Sequence, residues 1–311
     1  MTKFNTKCSV HRNFNEGSCF TLEELLIMVN QYNKTFENKI IIKQDKKYIL
    51  KELINNLKQC NGDHVCIVNT INKKILNNSL NTKNIFRPQG TKGRRDWLTT
   101  IEINNVMTQY ELKYPNFKFG GAIPRDILRI DYPLMNTKYN IRQLELDDFN
   151  IMKKNIIGYI YNLDESHQSG SHWVALYCNL DNCQVYFFDS YGLRPHKDIR
   201  IMVDKLCHMC YNKNNTGCVK NCQKLDISDS FMMSDINKKN KIEKKMKYIS
   251  YNRNRHQYKN TECGVYSLNF IIKLLEGKTF EELTKNKVSD DEINKRRDIL
   301  FMQTGGKRKK N

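Results

Sequence analysis

The sequence lacks the long apolar runs and the leader segment that mark membrane and secreted proteins. None of its apolar runs reaches the roughly 18 residues that a membrane helix needs. The first ten residues contain no apolar segment of the kind found in signal peptides. With 311 residues, of which 39% are hydrophobic, the composition is typical of a globular chain. We expect one large domain, or one domain with a smaller companion, that is neither secreted nor membrane-spanning.

The sequence also lacks an even number of cysteines: it has eleven, which cannot all pair in disulfides within one chain. In a chain without signs of secretion, we expect no full disulfide framework and mostly reduced thiols. Two short groups near the N-terminus have ligand-like spacing, but we interpret them as core residues of a small domain: Cys8, His11 and Cys19, and Cys60, His64 and Cys66.

The formal net charge of +19 has a simple compositional explanation. The chain contains 38 Lys, 14 Arg and 38 Asn, a bias that an A/T-rich genome produces by itself. The basic residues concentrate in residues 1–96, 238–259 and 307–310, and the rest is near neutral. Solvated loops are the simplest interpretation. The alternative is non-specific DNA contact or substrate steering by these segments, although no array of interleaved aromatic residues accompanies them.

Two segments near the N-terminus have the apolar spacing of amphipathic helices. Residues 20–33 place apolar side chains on one stripe, with Thr21 as a candidate N-cap. Residues 47–59 repeat this spacing. Proline and glycine break the periodicity over 81–95, which we interpret as a linker. The sequence thus predicts a small helical N-terminal domain with its linker over residues 1–90.

The remainder mixes helical and strand patterns without the regular alternation that builds parallel sheets, and it contains no internal repeat. Residues 97–110 and 263–275 have helical periodicity. Residues 156–162, 173–178 and 184–188 are rich in β-forming side chains. The expected fold class is α+β.

The strand runs 173–178 and 184–188 are separated by a polar turn at 179–182, so they should form an antiparallel hairpin. If those four residues close it, positions whose numbers sum to 361 face each other, and His172 lies opposite Asp189. A carboxylate beside an imidazole fixes its tautomer and stabilises its charged form, as in a catalytic triad. Such a pair is also a common structural hydrogen bond, so it does not establish catalysis alone.

A candidate nucleophile is Cys263, which the pattern puts at the N-terminus of an apolar helix, where the dipole favours thiolate. Gly264 leaves room for a substrate backbone. Gln257 could donate its amide N–H, together with the backbone N–H of Cys263, to the oxyanion of a tetrahedral intermediate. The simpler interpretation of Cys263 and His172 is a buried thiol and a core histidine.

Three strings resemble the motifs of a known enzyme family: Gly170-Ser171-His172-Trp173-Val174-Ala175-Leu176, Phe188-Asp189-Ser190-Tyr191-Gly192, and Gln257 followed after five residues by Cys263-Gly264-Val265-Tyr266. They are similar to those of the cysteine peptidases that process SUMO-like proteins, and of their relatives in adenoviruses and large DNA viruses. The order His, Asp, Gln, Cys is also the family's order. Asp96-Trp97-Leu98 resembles the motif that opens its catalytic domain, so the resemblance covers residues 94–303.

The resemblance implies a central mixed β-sheet flanked by helices, with the nucleophile at a helix N-terminus. It implies that Cys263 is the nucleophile and His172 the general base. Asp189 would be the orienting carboxylate and Gln257 the oxyanion donor. It also implies substrate contacts by Trp173, Trp97 and Gly264. This chemistry requires no cofactor.

The function implied by the resemblance is a thiol endopeptidase that cleaves protein substrates after Gly-Gly, with viral protein or polyprotein processing as its use. Residues before Asp96 are most similar to proteins of large DNA viruses, so we expect a viral enzyme located in the virion or the host cytoplasm. The alternative is a deconjugating or precursor-processing protease for SUMO-like or ubiquitin-like proteins. A non-catalytic module that binds Gly-Gly tails, or a DNA-packaging protein, has no need of all four catalytic residue types.

Between Asp189 and Gln257 lie 67 residues, more than a compact family member needs, which indicates an insertion around residues 205–247. It contains a C-x2-C pair and a C-x3-C pair that could hold a structural zinc ion: Cys207, Cys210, Cys218 and Cys222. The separation of the pairs is short for a zinc ribbon, and ordinary thiols are the simpler interpretation.

Residues 304–311 form a basic tail that contains Gly305-Gly306 followed by Lys307. Because the resembled enzymes cut after Gly-Gly, the Gly306–Lys307 bond could be a processing site, cut in trans or in cis. Alternatively, the tail could rest in the active site as an inhibitor. The simpler interpretation is a basic tail whose glycines only serve as a linker.

Overall fold

The computed structural model describes residues 8–73, 80–129, 146–214 and 250–302. The chain forms two compact units, one of residues 1–92 with 298–311 and the other of residues 93–297. Among the described helices, none combines the length and apolar character needed to cross a membrane. The C-terminal tail, most of the predicted insertion and part of the basic segment 238–259 lie outside the described residues.

The smaller unit is helical. Its helices are α1 (Leu22–Thr35), α2 (Lys46–Asn56), α3 (His64–Lys73) and α4 (Thr82–Ile85). Thr21 and Glu24 form the capping box of α1, in which each side chain bonds the other residue's backbone N–H. The helices share one apolar core that includes Leu25, Leu53 and Ile67.

The stretch 81–95 is only partly the linker that its composition predicts. Its first residues form α4, which Asn81 caps, and the following Phe86 is 1% exposed in the core of the smaller unit. The chain returns to this core at its other end, where the Met302 backbone N–H donates to the Pro88 carbonyl at 2.9 Å. Paired backbone and buried apolar side chains thus give this segment more order than its turn-forming residues indicate.

Four cysteines of the smaller unit form two disulfides, Cys8–Cys19 and Cys60–Cys66. Core positions are confirmed for Cys8, Cys19 and Cys60, which are all buried. The two disulfides were not predicted, although five of the nine described cysteines are free thiols, as expected of a chain without a full disulfide framework. The paired Cα atoms lie 5.3 and 5.4 Å apart, within the range that disulfides require. Sequence spacing alone does not reveal that proximity.

The larger unit contains a mixed five-stranded sheet, which confirms the α+β class. Its strands lie side by side in chain order: β1 (Phe117–Pro124), β2 (Ile156–Asn162), β3 (Trp173–Asn179), β4 (Gln184–Phe188) and β5 (Ser250–Tyr251). β1 and β2 pair in parallel, as do β4 and β5, while β3 is antiparallel to both of its neighbours. The remaining helices are α5 (Thr100–Lys113), α6 (Leu146–Ile151), α7 (Lys197–Asn214), α8 (Cys263–Leu275), α9 (Phe280–Lys285), α10 (Asp290–Lys295) and α11 (Arg297–Leu300).

Helix α8 has the predicted bounds and packs against β3. Its Ser267 hydroxyl donates to the Trp173 carbonyl at 3.0 Å. Helix α5 begins three residues after Trp97 because Thr99 and Glu102 form a capping box at its start. The packing of α8 on the sheet fixes the position of its N-terminal residue, Cys263.

The β3–β4 hairpin has a different register from the predicted one. Facing positions sum to 363, as in the pair Ala175 and Phe188, so the predicted opposition of His172 and Asp189 is wrong. Leu180 is fully buried and Cys183 has a left-handed backbone (φ 50°). The turn therefore lies one residue later than its polar composition indicates. Because the sum rises by two, each residue's partner moves by two positions along the facing strand. Every side chain therefore stays on its predicted face of the sheet.

Helix α7 covers the start of the predicted insertion. Its apolar side chains pack on the core of the sheet, and they include Met202, Leu206, Cys207 and Cys210. Residues 205–214 are therefore part of a helix whose buried face supports the hairpin, whereas 215–247 lie outside the described residues.

Candidate active site

His172 and Asp189 lie just beyond the ends of β3 and β4 and are joined by a buried hydrogen bond. The distance between His172 Nε2 and Asp189 Oδ1 is 2.7 Å, and the two residues are 6% and 1% exposed. In the observed register they are diagonal neighbours, a separation that long side chains can bridge. The hairpin thus brings the predicted pair together despite its shifted register.

The backbone of Asp189 is held by Asn252, the residue that follows β5, which the sequence patterns did not identify. Asn252 is 1% exposed; its Oδ1 accepts from the Asp189 backbone N–H at 2.9 Å, and its Nδ2 donates to the Asp189 carbonyl at 2.6 Å. The Tyr191 backbone N–H donates to Asp189 Oδ1 at 2.8 Å. These bonds hold the carboxylate toward His172, and they join positions 63 residues apart in the sequence.

Cys263, the first residue of α8, is 2% exposed and interacts with the same imidazole. Burial alone lowers the pKa of His172, but hydrogen bonds and charges from Asp189 and Cys263 raise that pKa to about 9. Because Nε2 is taken by Asp189, the nitrogen that faces the thiol is Nδ1. The raised pKa favours the charged form of His172, which is the form that would stabilise a neighbouring thiolate.

The residue before Cys263 is a fully buried glutamate, Glu262, whose carboxylate is well supplied with donors. It accepts from Arg95 at 3.3 Å, from Asn294 at 3.1 Å and from the Thr261 backbone N–H at 3.0 Å. Its side chain makes no capping bond to α8. The first N–H groups of the helix are consequently not used by a side-chain cap, and such groups at a helix N-terminus can bind an anion.

Gln257 is fully buried and its amide is oriented at both ends. Its Oε1 accepts from the Ser190 hydroxyl at 2.6 Å, and its Nε2 donates to the Lys259 carbonyl at 2.5 Å. The Gln257 backbone N–H donates to the Ser190 carbonyl at 2.9 Å. An amide nitrogen carries two hydrogens, so one N–H of Nε2 remains for a substrate oxygen after the bond to Lys259.

The three predicted substrate-binding residues occupy different environments. Trp173 is 6% exposed and its indole N–H donates to the Leu98 carbonyl at 2.8 Å. A Cβ on Gly264 would come within 3.1 Å of Leu98 and 3.3 Å of Trp173, so the missing side chain makes room for these two residues. Trp97 is 44% exposed, unlike the buried catalytic candidates.

Only two of the four cysteines of the predicted zinc site, Cys207 and Cys210, lie among the described residues. Within the described ranges, no group of three or more His, Cys, Asp or Glu side chains has an arrangement suited to a metal ion. Cys207 and Cys210 are buried on α7, and the Cys210 sulfur lies 3.7 Å from the Cys178 sulfur. Cys218 and Cys222 lie outside the described residues, so zinc binding by the four cysteines stays a prediction.

The chain is similar to known cysteine proteases in sequence. The model of the Ulp1 protease family, C-terminal catalytic domain, matches residues 137–302. A protein of Acanthamoeba polyphaga mimivirus that is named as a thiol protease is 32% identical over 305 residues, which cover 92% of this chain and 89% of that protein. The SUMO-1 cysteine protease of African swine fever virus is 23% identical over 273 residues, covering 82% of this chain and 89% of that protein.

The fold also matches a solved structure. The crystal structure of an African swine fever virus protease superposes with a TM-score of 0.58 at 18% identity, and the match covers 98% of each chain. The family match extends over more than half of this sequence and confirms the resemblance found in its motifs. The chain therefore belongs to the Ulp1 protease family and is a cysteine-type peptidase.

Proposed function

We propose that the chain is a thiol endopeptidase that cleaves protein substrates after Gly-Gly, with Cys263 as nucleophile. The observation that carries this proposal is the buried chain from Asp189 to His172 to Cys263, with the 2.7 Å hydrogen bond between the first two and the raised pKa of His172. A structural His–Asp pair would not need a thiol on the second nitrogen of the imidazole.

The proposed reaction has two steps. The Cys263 thiolate attacks the carbonyl carbon of the scissile bond, and its electron pair displaces that of the C=O bond onto oxygen, where the N–H of Gln257 and the N-terminus of α8 stabilise it. The oxyanion collapses, the C–N bond breaks, and His172 gives its proton to the departing amine. Water, deprotonated by His172, then attacks the thioester and releases the acid and the thiolate.

The proposed preference for glycine rests on how little of the nucleophile is accessible. Cys263 is 2% exposed, and Trp173 beside it is 6% exposed. A residue with a side chain next to the scissile bond would have to displace this packing, whereas glycine adds only backbone. We therefore expect the uncleaved substrate to enter the site as a narrow, extended segment.

The experiment is a cleavage assay on peptides with Gly-Gly-X, Ala-Gly-X and Ala-Ala-X sites, next to SUMO-type and ubiquitin-type precursors. We expect cleavage after Gly-Gly, falling as each glycine gains a methyl group, and no cleavage by Cys263→Ala. Equal cleavage of the Ala-Ala peptide would contradict the proposed specificity. Cleavage of the folded precursors at much higher efficiency than the peptides would instead favour the second candidate, a processing or deconjugating protease for SUMO-like or ubiquitin-like proteins.

The viral relatives support a viral role, and we propose the virion or the host cytoplasm as the location. The described part of the basic segment offers little support for DNA contact. Lys259 forms an ion pair with Asp291 at 2.7 Å, and the Arg255 guanidinium lies 5.0 Å from the ring centres of both Tyr191 and Tyr258. These cations already have partners within the fold, which favours a structural role for this part of the segment.

A further inference from the structure

The loop between Gln257 and Cys263 contains no helix or strand, and the orientation of the Gln257 amide depends on it. The Gln257 Nε2 donates to the Lys259 carbonyl at 2.5 Å. An amide nitrogen has two N–H donors, and because the group is planar, the bond to Lys259 also sets the direction of the second N–H. The side chains of Tyr258 and Lys259 are exposed, so burial of these side chains does not fix the loop.

A buried carboxylate on a neighbouring helix fixes the backbone of this loop. Asp290, the first residue of α10, is 6% exposed. Its Oδ2 accepts from the backbone N–H of Tyr258 at 2.8 Å and from that of Lys259 at 2.9 Å. Hydrogen bonds to a carboxylate are stronger than those between neutral groups. Two such bonds to one oxygen therefore determine where the Lys259 carbonyl lies.

Helix α10 is itself firmly placed in the larger unit. It packs against α8, and its Ile293 side chain is fully buried. One turn after Asp290, the Asn294 amide donates to Glu262 Oε1 at 3.1 Å. Residues four positions apart lie on the same face of a helix. One face of α10 therefore bonds both ends of the loop that separates Gln257 from Cys263.

We propose that Asp290 is a positioning residue of the peptidase, which holds the Lys259 carbonyl where it directs the second N–H of Gln257 toward the oxyanion. This inference rests on the proposed donor role of Gln257. Asp290 acts through the loop, because its bonded oxygen contacts backbone N–H groups and not the reacting atoms. Its loss lets the carbonyl move and turns the amide, which weakens stabilisation of the transition state more than binding of the substrate.

The test is steady-state kinetics on whichever peptide or precursor of the cleavage assay the parent cuts most efficiently. Asp290→Ala should lower kcat by about 10- to 100-fold with little change in KM, because a misplacement of about 1 Å can cost about 10²-fold in rate. The neighbouring Asp291 provides the matched control, since it bonds only side chains, those of Lys259 at 2.7 Å and Arg95 at 2.6 Å. Asp291→Ala should stay within about twofold of the parent, because exposed ion pairs contribute little.

A double-mutant cycle distinguishes positioning from a general structural role. In the Gln257→Ala background no amide remains to be oriented, so adding Asp290→Ala should change kcat by less than about twofold. Asp290→Ala as active as the parent would overturn the proposal. So would an equal loss of kcat in both backgrounds while Gln257→Ala is itself impaired. Gln257→Ala as active as the parent would reject the donor role, and this inference with it, so the two failures are distinguishable.

Two further variants keep the test decisive if Asp290→Ala does not fold. Asp290→Asn retains an oxygen at the same distance from the backbone, and a carbonyl oxygen can accept both N–H groups, so most of kcat should be retained. Asp290→Glu retains the charge but displaces the oxygens by one methylene group, so it should be impaired. Circular dichroism establishes that each variant is folded. An active Asp290→Glu beside an impaired Asp290→Asn would show that charge matters and not the position of the oxygen, and would overturn the proposal.

Discussion

The imidazole of His172 lies parallel to the phenol ring of Tyr191, with ring centroids 4.3 Å apart and 5° between the planes. The guanidinium of Arg255 lies 5.0 Å from the centre of the same phenol ring. Because the imidazole covers one face of that ring, the guanidinium takes the other. The negative face of an aromatic ring attracts a cation, so we expect Tyr191 to favour the charged form of His172 as a positioning residue.

Replacing Tyr191 should shift the pH dependence of catalysis. The upper limb of the kcat/KM profile should report loss of the His172 proton, whose pKa is raised to about 9. Tyr191→Leu removes the ring, and a cation–π contribution of about 0.5–1 kcal/mol corresponds to a fall of roughly half a pKa unit. We expect the upper limb to move to lower pH by about that amount in a pH–rate measurement.

Tyr191→Phe is the matched control because it keeps the ring and loses only the hydroxyl. Its upper limb should coincide with that of the parent. An upper limb that stays in place in Tyr191→Leu, with kcat changed equally at every pH, would show that Tyr191 only supports packing.

The His172 pair should also make folding stability depend on pH. The folded pKa of about 9 lies above the ordinary value of 6.5, so the folded state binds a proton more tightly. This stabilisation is fully present below pH 6.5 and is lost as pH rises to about 9. Urea unfolding at about pH 6 and about pH 9.5, on either side of this window, should show the parent losing more stability than Asp189→Asn. Parallel losses in both proteins would show that His172 does not contribute.

Much of this site follows from local sequence patterns. Helix α8 begins at Cys263 as its apolar periodicity predicts, and the two strands that bring His172 and Asp189 together lie within a few residues of each other. The turn differs by one residue because burial of Leu180 outweighs the polar character of the segment. The position of the turn thus depends on the packing around the hairpin, which the periodicity of the sequence does not reveal.

Other parts of the site depend on contacts between distant residues. Asn252 bonds the backbone of Asp189, and Asn294 bonds Glu262 from another helix. No short motif connects these positions, and the 67 residues between Asp189 and Gln257 give no register for β5. The burial of Glu262, whose charge requires partners, is likewise known only from the structure.

Cys263 should be the thiol that reacts fastest. All five thiols of the described ranges are buried, so burial does not distinguish Cys263 from Cys178 or Cys207. What distinguishes it is the imidazolium of His172, which favours the reactive thiolate. Limited iodoacetamide followed by peptide mass analysis should find Cys263 labelled first, with loss of activity in step. His172→Ala should abolish the selectivity, and labelling that follows no such order would contradict the assignment.

The C-terminal Gly305-Gly306 pair should be tested as a substrate of the chain itself. If cleavage after Gly-Gly is the activity, the Gly306–Lys307 bond has the required sequence, and its cleavage removes the five residues 307–311. Intact-mass measurement should show this loss in the active protein and a full-length mass in Cys263→Ala. A full-length mass in both, with unchanged peptide cleavage after deletion of 305–311, would exclude both processing and inhibition by the tail.

Gln257 should contribute to the rate through one N–H donor. Its Oε1 is held by the Ser190 hydroxyl at 2.6 Å and one N–H by the Lys259 carbonyl, which leaves the other N–H for the oxyanion. Gln257→Ala should lower kcat by about 10²–10³-fold with a smaller change in KM, because the bond forms mainly in the transition state.

Gln257→Glu separates the donor from the packing. It keeps the shape of the side chain and an oxygen that can accept from Ser190, but it has no N–H for the oxyanion. If the amide acts as a donor, Gln257→Glu should be at least as impaired in kcat as Gln257→Ala, although it packs better. If the amide only holds Ser190 in place, Gln257→Glu should regain most of the activity, and Ser190→Ala should be as impaired as Gln257→Ala. Steady-state kinetics of the three variants therefore decide between a catalytic donor and a structural amide.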